Sequence, residues 1–122
     1  MTTKMKQIKQ VEEFRTAFKL PINNKPTKIP NLHYNLLKEE LQELFLADDT
    51  IEQADALIDI MYLSFGALLQ LGVAEKFEAL FDEVHASNMS KLVNGKAIYR
   101  PDGKVLKGEN YFKPDLAKIM FE

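Results

Sequence analysis

Two stretches decide the fold: LLKEELQELF (residues 36–45) and, after the break Asp48-Asp49-Thr50, ADALIDIMYLSFGALLQLGV (residues 54–73). In the first, Leu36, Leu37, Leu44 and Ala47 recur at helical spacing, so a helix starts near Asn31, a good N-cap residue, and runs to Ala47. The second is apolar on most sides, which predicts a central helix from Ile51 to Leu71 with Gly72 as its stop. The short break between them makes the two helices antiparallel neighbours.

Working outward, Met5, Ile8, Val11, Phe14 and Phe18 mark a first amphipathic helix over residues 4–19. Pro21, Pro26 and Pro30, with Asn23 and Asn24 between, make an irregular connection. A fourth helix, residues 74–86, carries Phe77, Leu80, Phe81 and Val84 as its inward stripe. Beyond Ser87 the turn signals Asn94-Gly95, Arg100-Pro101-Asp102-Gly103 and Lys107-Gly108 predict an ordered, mostly irregular tail with room for a small hairpin, then a short helix over 115–121. The expected architecture is all-α: an antiparallel bundle of four main helices with an irregular C-terminal tail, in one domain spanning residues 1–122.

Bulk properties narrow the function. The 122 residues, 46% of them hydrophobic, suit a single core. A formal net charge of −2 supplies no general attraction for nucleic acid or an acidic membrane surface. Without cysteine there are no disulfides, thiolate metal sites or cysteine nucleophiles, which fits a reducing cytoplasmic setting. Lys4, Lys6 and Lys9 lack an apolar run behind them, so the N-terminal stretch does not read as a secretory signal. Asp55, Asp59 and Gln70 argue against a membrane crossing by the longest apolar stretch. No phosphate-binding glycine loop, dinucleotide fingerprint or nucleophile elbow is present.

The anomaly is where the acids fall. At about 100° per residue, Glu40 and Glu43 lie about 60° apart, in or beside the apolar stripe, with Glu39 turned further toward solvent. Asp55 and Asp59 lie within about 40° of one another on the next helix, which has no basic residue to pair them. Taken singly, each acid is explained as well by a solvated face, and Asp55 by the preference of a helix's first turn for acids. Taken together, two neighbouring helices each bring an acidic pair to the edge of an apolar stripe, and such a group tolerates itself best around a cation. Oxygen-only ligands suit Mg²⁺ or Mn²⁺. His33 and His85 lack paired-ligand spacing and read as structural, so zinc is disfavoured.

These residues resemble a known family. Glu40-Leu41-Gln42-Glu43, followed by QADALIDIMYLSFGALLQLG, is similar to the MazG-like all-α nucleoside triphosphate pyrophosphohydrolases, most of all their small phosphoribosyl-ATP-pyrophosphohydrolase-like members. The likeness extends to VEEFRTAFKLP upstream and to FDEVHASNMSKL, GKAIYRPDGKVLKG and NYFKPDL downstream. The superfamily pattern is ExxE, then ExxD on the next helix. Glu40 and Glu43 match the first pair and Asp59 the last acid, while Ala56 stands where the second motif has Glu and an acid sits one residue earlier, at Asp55.

The resemblance implies a Mg²⁺-dependent cleavage of the α–β phosphate linkage of a (deoxy)nucleoside triphosphate or related nucleotide to the monophosphate, in a dUTPase-like or wider housecleaning role. It also implies a homodimer or homotetramer. Glu40, Glu43, Asp55 and Asp59 are the expected metal ligands, and Glu39 is the candidate to orient or deprotonate the attacking water. Asn88 and Lys91, with Lys104 behind them, are the expected substrate contacts. By spacing alone a solvated basic tail, with Lys96 and Lys107, explains that last group equally. The competing functions are a non-catalytic helical module that binds nucleotide or metal and a purely structural helical interaction domain.

Overall fold

The computed structural model describes residues 4–122; part of the N-terminal stretch read as lacking a secretory signal, residues 1–3, lies outside them. The chain is all-α: helices α1 (Lys6–Ala17), α2 (Leu32–Leu46), α3 (Thr50–Leu71), α4 (Phe77–Met89) and the short α5 (Leu116–Met120), with no extended strand among the described residues. It divides into two compact units, one ending at Glu75 and the other Lys76–Glu122.

In the first unit, α3 is the central element and both α1 and α2 pack on it. The link between α2 and α3 is short enough to force antiparallel packing. The Asp49 side chain caps α3 by accepting from the Glu52 N–H at 2.8 Å, and Glu52 Oε2 reaches back to the Asp48 N–H at 3.4 Å. A reciprocal cap of this kind contributes about 1 kcal/mol. Asn31 plays a different part from the one expected. Its backbone is already helical and its side chain makes no cap, so α2 starts on the carbonyls of Pro30 and Asn31, which accept from His33 and Asn35.

The far end of α3 explains the proline-rich connection. Gly72 adopts φ +87° and its N–H returns to Leu68 and Leu69. The last carbonyls of a helix need partners from elsewhere, and the connection supplies them. Asn23 N–H donates to Leu69 O, Asn23 Nδ2 to Gln70 O and Thr27 N–H to Leu71 O. A Cβ at Gly72 would meet Lys25 O at 1.9 Å, so only glycine permits this closure.

Ile8, Val11, Ala56, Leu69 and Val73 are buried, and so is Arg15. On α1 the expected stripe is therefore rotated. Ile8 and Val11 face inward, while Phe14 and Phe18 stack on each other at 4.4 Å between centroids and stay 39% and 65% exposed. Arg15 takes the next inward position because Gly66 on α3 leaves room for it, the guanidinium Nη1 standing 3.3 Å from where a Cβ at that glycine would be.

A short 3₁₀ turn (Ala74–Lys76) precedes α4, the main helix of the second unit, which starts three residues later than expected and runs on to Met89. The reason lies in its last turn. Ser87 is buried and donates to Phe112 O, while Ser90 Oγ donates to Ser87 O and accepts from the Phe112 N–H. The two serines thus clamp the tail to the end of the helix. Phe81, expected to face inward, is 60% exposed. The tail is irregular apart from isolated bridges at Val93–Lys96 and Tyr99–Val105, the second forming the expected hairpin around Asp102 and Gly103. Asp115 caps α5 through the Lys118 N–H.

Candidate functional site

Glu40 projects from the middle of α2, on the half-buried face that also carries Leu36, Leu37 and Leu44, and Glu43 follows at the solvent edge one turn on. Asp59 comes from α3, half-buried. Oxygens of Glu40, Glu43 and Asp59 lie within 4.8 Å of one another. Antiparallel packing of the two helices thus brings together acids separated by more than four turns of chain.

The electrostatics follow from this crowding. Glu40 is pushed up to about 7, first by the Glu43 carboxylate within hydrogen-bonding reach, then by burial, then by the charges of Glu43, Asp59 and Asp55. Glu40 Oε2 is shut away from water with no hydrogen-bond partner, alone in this among side-chain atoms of the described residues. Leaving a buried acceptor unsatisfied is costly. Three converging carboxylates with one orphaned oxygen could hold a hard divalent cation, and the group contains no nitrogen or sulfur atom.

The remaining expected residues fall in different places. Asp55 is exposed and lies outside the group of three, although its charge is felt at Glu40. Glu39 is exposed on the outer side of α2. In the second unit, Asn88 is exposed on the last turn of α4, and Lys91 is half-buried just beyond it, its carbonyl accepting from the Gly108 N–H at 3.1 Å. Lys104 is exposed in the hairpin, where its backbone pairs with Arg100 and Asp102. Lys107 lies over the Tyr111 ring at 4.7 Å, a cation–π contact.

One group was not foreseen. Arg15 and His33, 8% and 6% exposed, meet at Gln70. Gln70 Oε1 accepts from Arg15 Nη2 at 2.9 Å and lies 2.7 Å from His33 Nε2. Because that oxygen can only accept, Nε2 must carry the ring proton. Arg15 Nε donates to Pro21 O at 3.0 Å, and burial holds the guanidinium below its usual pKa. The signal was available: Ile8, Val11 and Arg15 follow one helical face, and Gln70 interrupts an apolar run.

Residues 11–88 match the family model described as phosphoribosyl-ATP pyrophosphohydrolase. None of the curated proteins compared with the chain matches it.

Proposed function

We propose that this chain, which belongs to the phosphoribosyl-ATP pyrophosphohydrolase family, is a Mg²⁺-dependent enzyme that hydrolyses the α–β linkage of a (deoxy)nucleoside triphosphate, yielding the monophosphate and pyrophosphate. The observation that carries the reading is the meeting of Glu40, Glu43 and Asp59 around the orphaned Glu40 Oε2. Phosphoryl transfer asks the protein for alignment and charge neutralisation more than for covalent chemistry. Mg²⁺, when bound, would neutralise phosphate charge and acidify the attacking water, and Mn²⁺ would substitute for it.

The chain's own residues divide the remaining work. Glu40, Glu43 and Asp59 hold the cation, with Asp55 in support. Glu40 has to give up its proton to do so. Glu39, on the open side of α2, orients the water or takes its proton. Asn88, Lys91 and Lys104 bind the nucleotide, the lysines as compact charges for phosphate oxygens and Asn88 through its amide. The reading treats residues 1–122 as one functional domain, since the family match begins on α1 and ends on α4.

The proposal includes a homodimer or homotetramer. Phe45 and Ile51 are 87% and 78% exposed, and Leu41, Leu46, Ile58 and Met61 on the same two helices are exposed as well; large exposed apolar side chains gathered on two helices suit an interface. Light scattering after gel filtration should give at least twice the 14.0 kDa chain mass; a monomer refutes this part. The setting is cytoplasmic. By length and composition α3 would span a bilayer, but Asp55 and Asp59 would then lie in hydrocarbon. Nucleic acid is no partner at a net charge of −2.

The decisive experiment incubates the protein and Mg²⁺ with a panel of (deoxy)nucleoside triphosphates and identifies the products. Monophosphate with pyrophosphate supports the reading, and diphosphate with orthophosphate moves the cleavage point. Saturable binding without product makes the chain a nucleotide-binding module instead.

A further inference from the structure

A cavity of about 500 Å³ opens in the first unit, lined by residues of α1, α2, α3 and the proline-rich connection, and its chemistry is asymmetric. One end is walled by Leu36, Tyr62 and Leu63, with Phe14 edge-on to Tyr62 at 5.6 Å between centroids. Leu36 lies one turn from Glu40, and Tyr62 about 4.5 Å along α3 from Asp59. The other end is polar: Arg15, His33 and Gln70, the last about 16 Å along α3 from Asp59. The volume is that of a small-molecule site with apolar walls and a few placed polar groups.

Arg15 is the part that structure alone does not account for. A buried guanidinium is costly unless its charge is compensated. The ion pairs among the described residues are Lys4–Glu12 and Arg100–Asp102, so Arg15 has no counter-anion there. Its two hydrogen bonds go to neutral acceptors, Pro21 O and Gln70 Oε1. A guanidinium has five N–H groups in a planar fork. The uncommitted ones are not sealed against solvent, since among the described residues Glu40 Oε2 alone is a sealed side-chain polar atom without a partner. Gln70 Oε1, already engaged by Arg15 and His33, is a poor acceptor for anything further. The polar part of the lining therefore keeps uncommitted N–H donors of Arg15 with no acceptor beside them.

We infer that this cavity seats the base of the nucleotide, and that Arg15 selects bases carrying a keto oxygen on the edge far from the sugar (guanine, uracil, thymine) over those carrying an amino group there (adenine, cytosine). The inference rests on the proposed reaction, which fixes the phosphates at Glu40, Glu43 and Asp59. The base then lies toward Gln70 with its glycosidic end nearest Asp59. The aromatic and leucine walls take its faces, and its far edge meets Arg15. Guanine offers O6 and N7 to a guanidinium fork, and uracil or thymine offers O4. Adenine and cytosine turn an N–H₂ donor toward the same donors. A lost hydrogen bond to a charged group, with donors left unpaired, lowers affinity roughly tenfold or more.

The test compares kcat/KM of the full chain with Mg²⁺ for dGTP, dUTP and dTTP against dATP and dCTP, and repeats it with Arg15→Gln. The keto substrates should lead by about tenfold, and Arg15→Gln should bring all five within about threefold by lowering the keto set. A purely structural Arg15 would change all five alike. Equal rates, an amino preference, or a discrimination that survives Arg15→Gln overturns the inference. If the variant fails to fold, the wild-type ranking still decides. Calorimetric binding of α,β-methylene analogues of the same nucleotides separates the two claims. A keto preference in binding without any hydrolysis supports the pocket and refutes the reaction. Indiscriminate hydrolysis does the reverse, and no binding at all removes both.

Discussion

The carboxylate of Glu40 on α2 and that of Asp59 on α3 offer oxygens within 4.8 Å of one another, across the interface of two antiparallel helices. Neither acid is within reach of a basic side chain in any ion pair among the described residues. The arrangement raises the free energy of the metal-free protein, and a divalent cation bound there would remove the repulsion and satisfy Glu40 Oε2.

Asp59→Asn and Glu43→Gln should therefore act in opposite directions on activity and stability. Each should lower kcat by roughly a hundredfold or more, since a ligand to the phosphate-bound cation is lost. Each should also leave the metal-free Tm unchanged or higher, because a like charge is removed from the cluster. Circular dichroism and a pyrophosphate-release assay check both. A variant with near-normal turnover would remove that residue from the metal site.

The raised Glu40 gives a pH dependence with a definite sign. Its folded value of about 7 exceeds the ordinary 4.5, so between those values the folded protein holds a proton that the unfolded chain has released. Stability of the metal-free protein should then fall as pH rises from about 4.5 to 7, and be insensitive to this group below that window. Glu40→Gln should flatten the slope, as read from Tm against pH in the presence of a chelator. Mg²⁺ affinity should strengthen through the same window, because cation and proton compete for one carboxylate.

The main elements were legible because periodicity and caps are local. Asp49 and Gly72 punctuate α3 as their residue types demand, and Glu40 was recognisable as an acid inside an apolar stripe. What escaped was non-local. Arg15 continues the face of Ile8 and Val11, but an arginine is accommodated there only because Gly66, on another helix, makes space for it. Asn31 has the right chemistry for a cap, but the preceding proline's carbonyl already opens the helix. Ser87 and Ser90 extend α4 through bonds to Phe112, a partner that spacing on α4 cannot reveal.

Gly72→Ala should destabilise the protein by about 2 kcal/mol or more, from a left-handed backbone and a direct clash with Lys25 O. The damage should spread to the pocket, because the same turn positions Asn23 and the end of α3 that carries Gln70. Chemical denaturation gives the first quantity. An unaltered unfolding midpoint would show that the connection gives way at no cost, and that its capping of α3 contributes little.

Lys91 joins an exposed helix end to the tail, and its backbone bond is separable from the substrate contact proposed for its side chain. The carbonyl holds Gly108 at 3.1 Å, a bond that any residue at this position retains. Lys91→Ala should therefore preserve Tm while raising KM or lowering kcat for the nucleotide by roughly tenfold, the loss of one charge-assisted phosphate contact. Lys104→Ala, placed in the exposed hairpin, should give a smaller change in the same direction. Because such contacts are electrostatic, raising the ionic strength should narrow the gap between wild type and Lys91→Ala. An unchanged kcat/KM at low salt would return Lys91 to the solvated surface and leave phosphate binding to other groups.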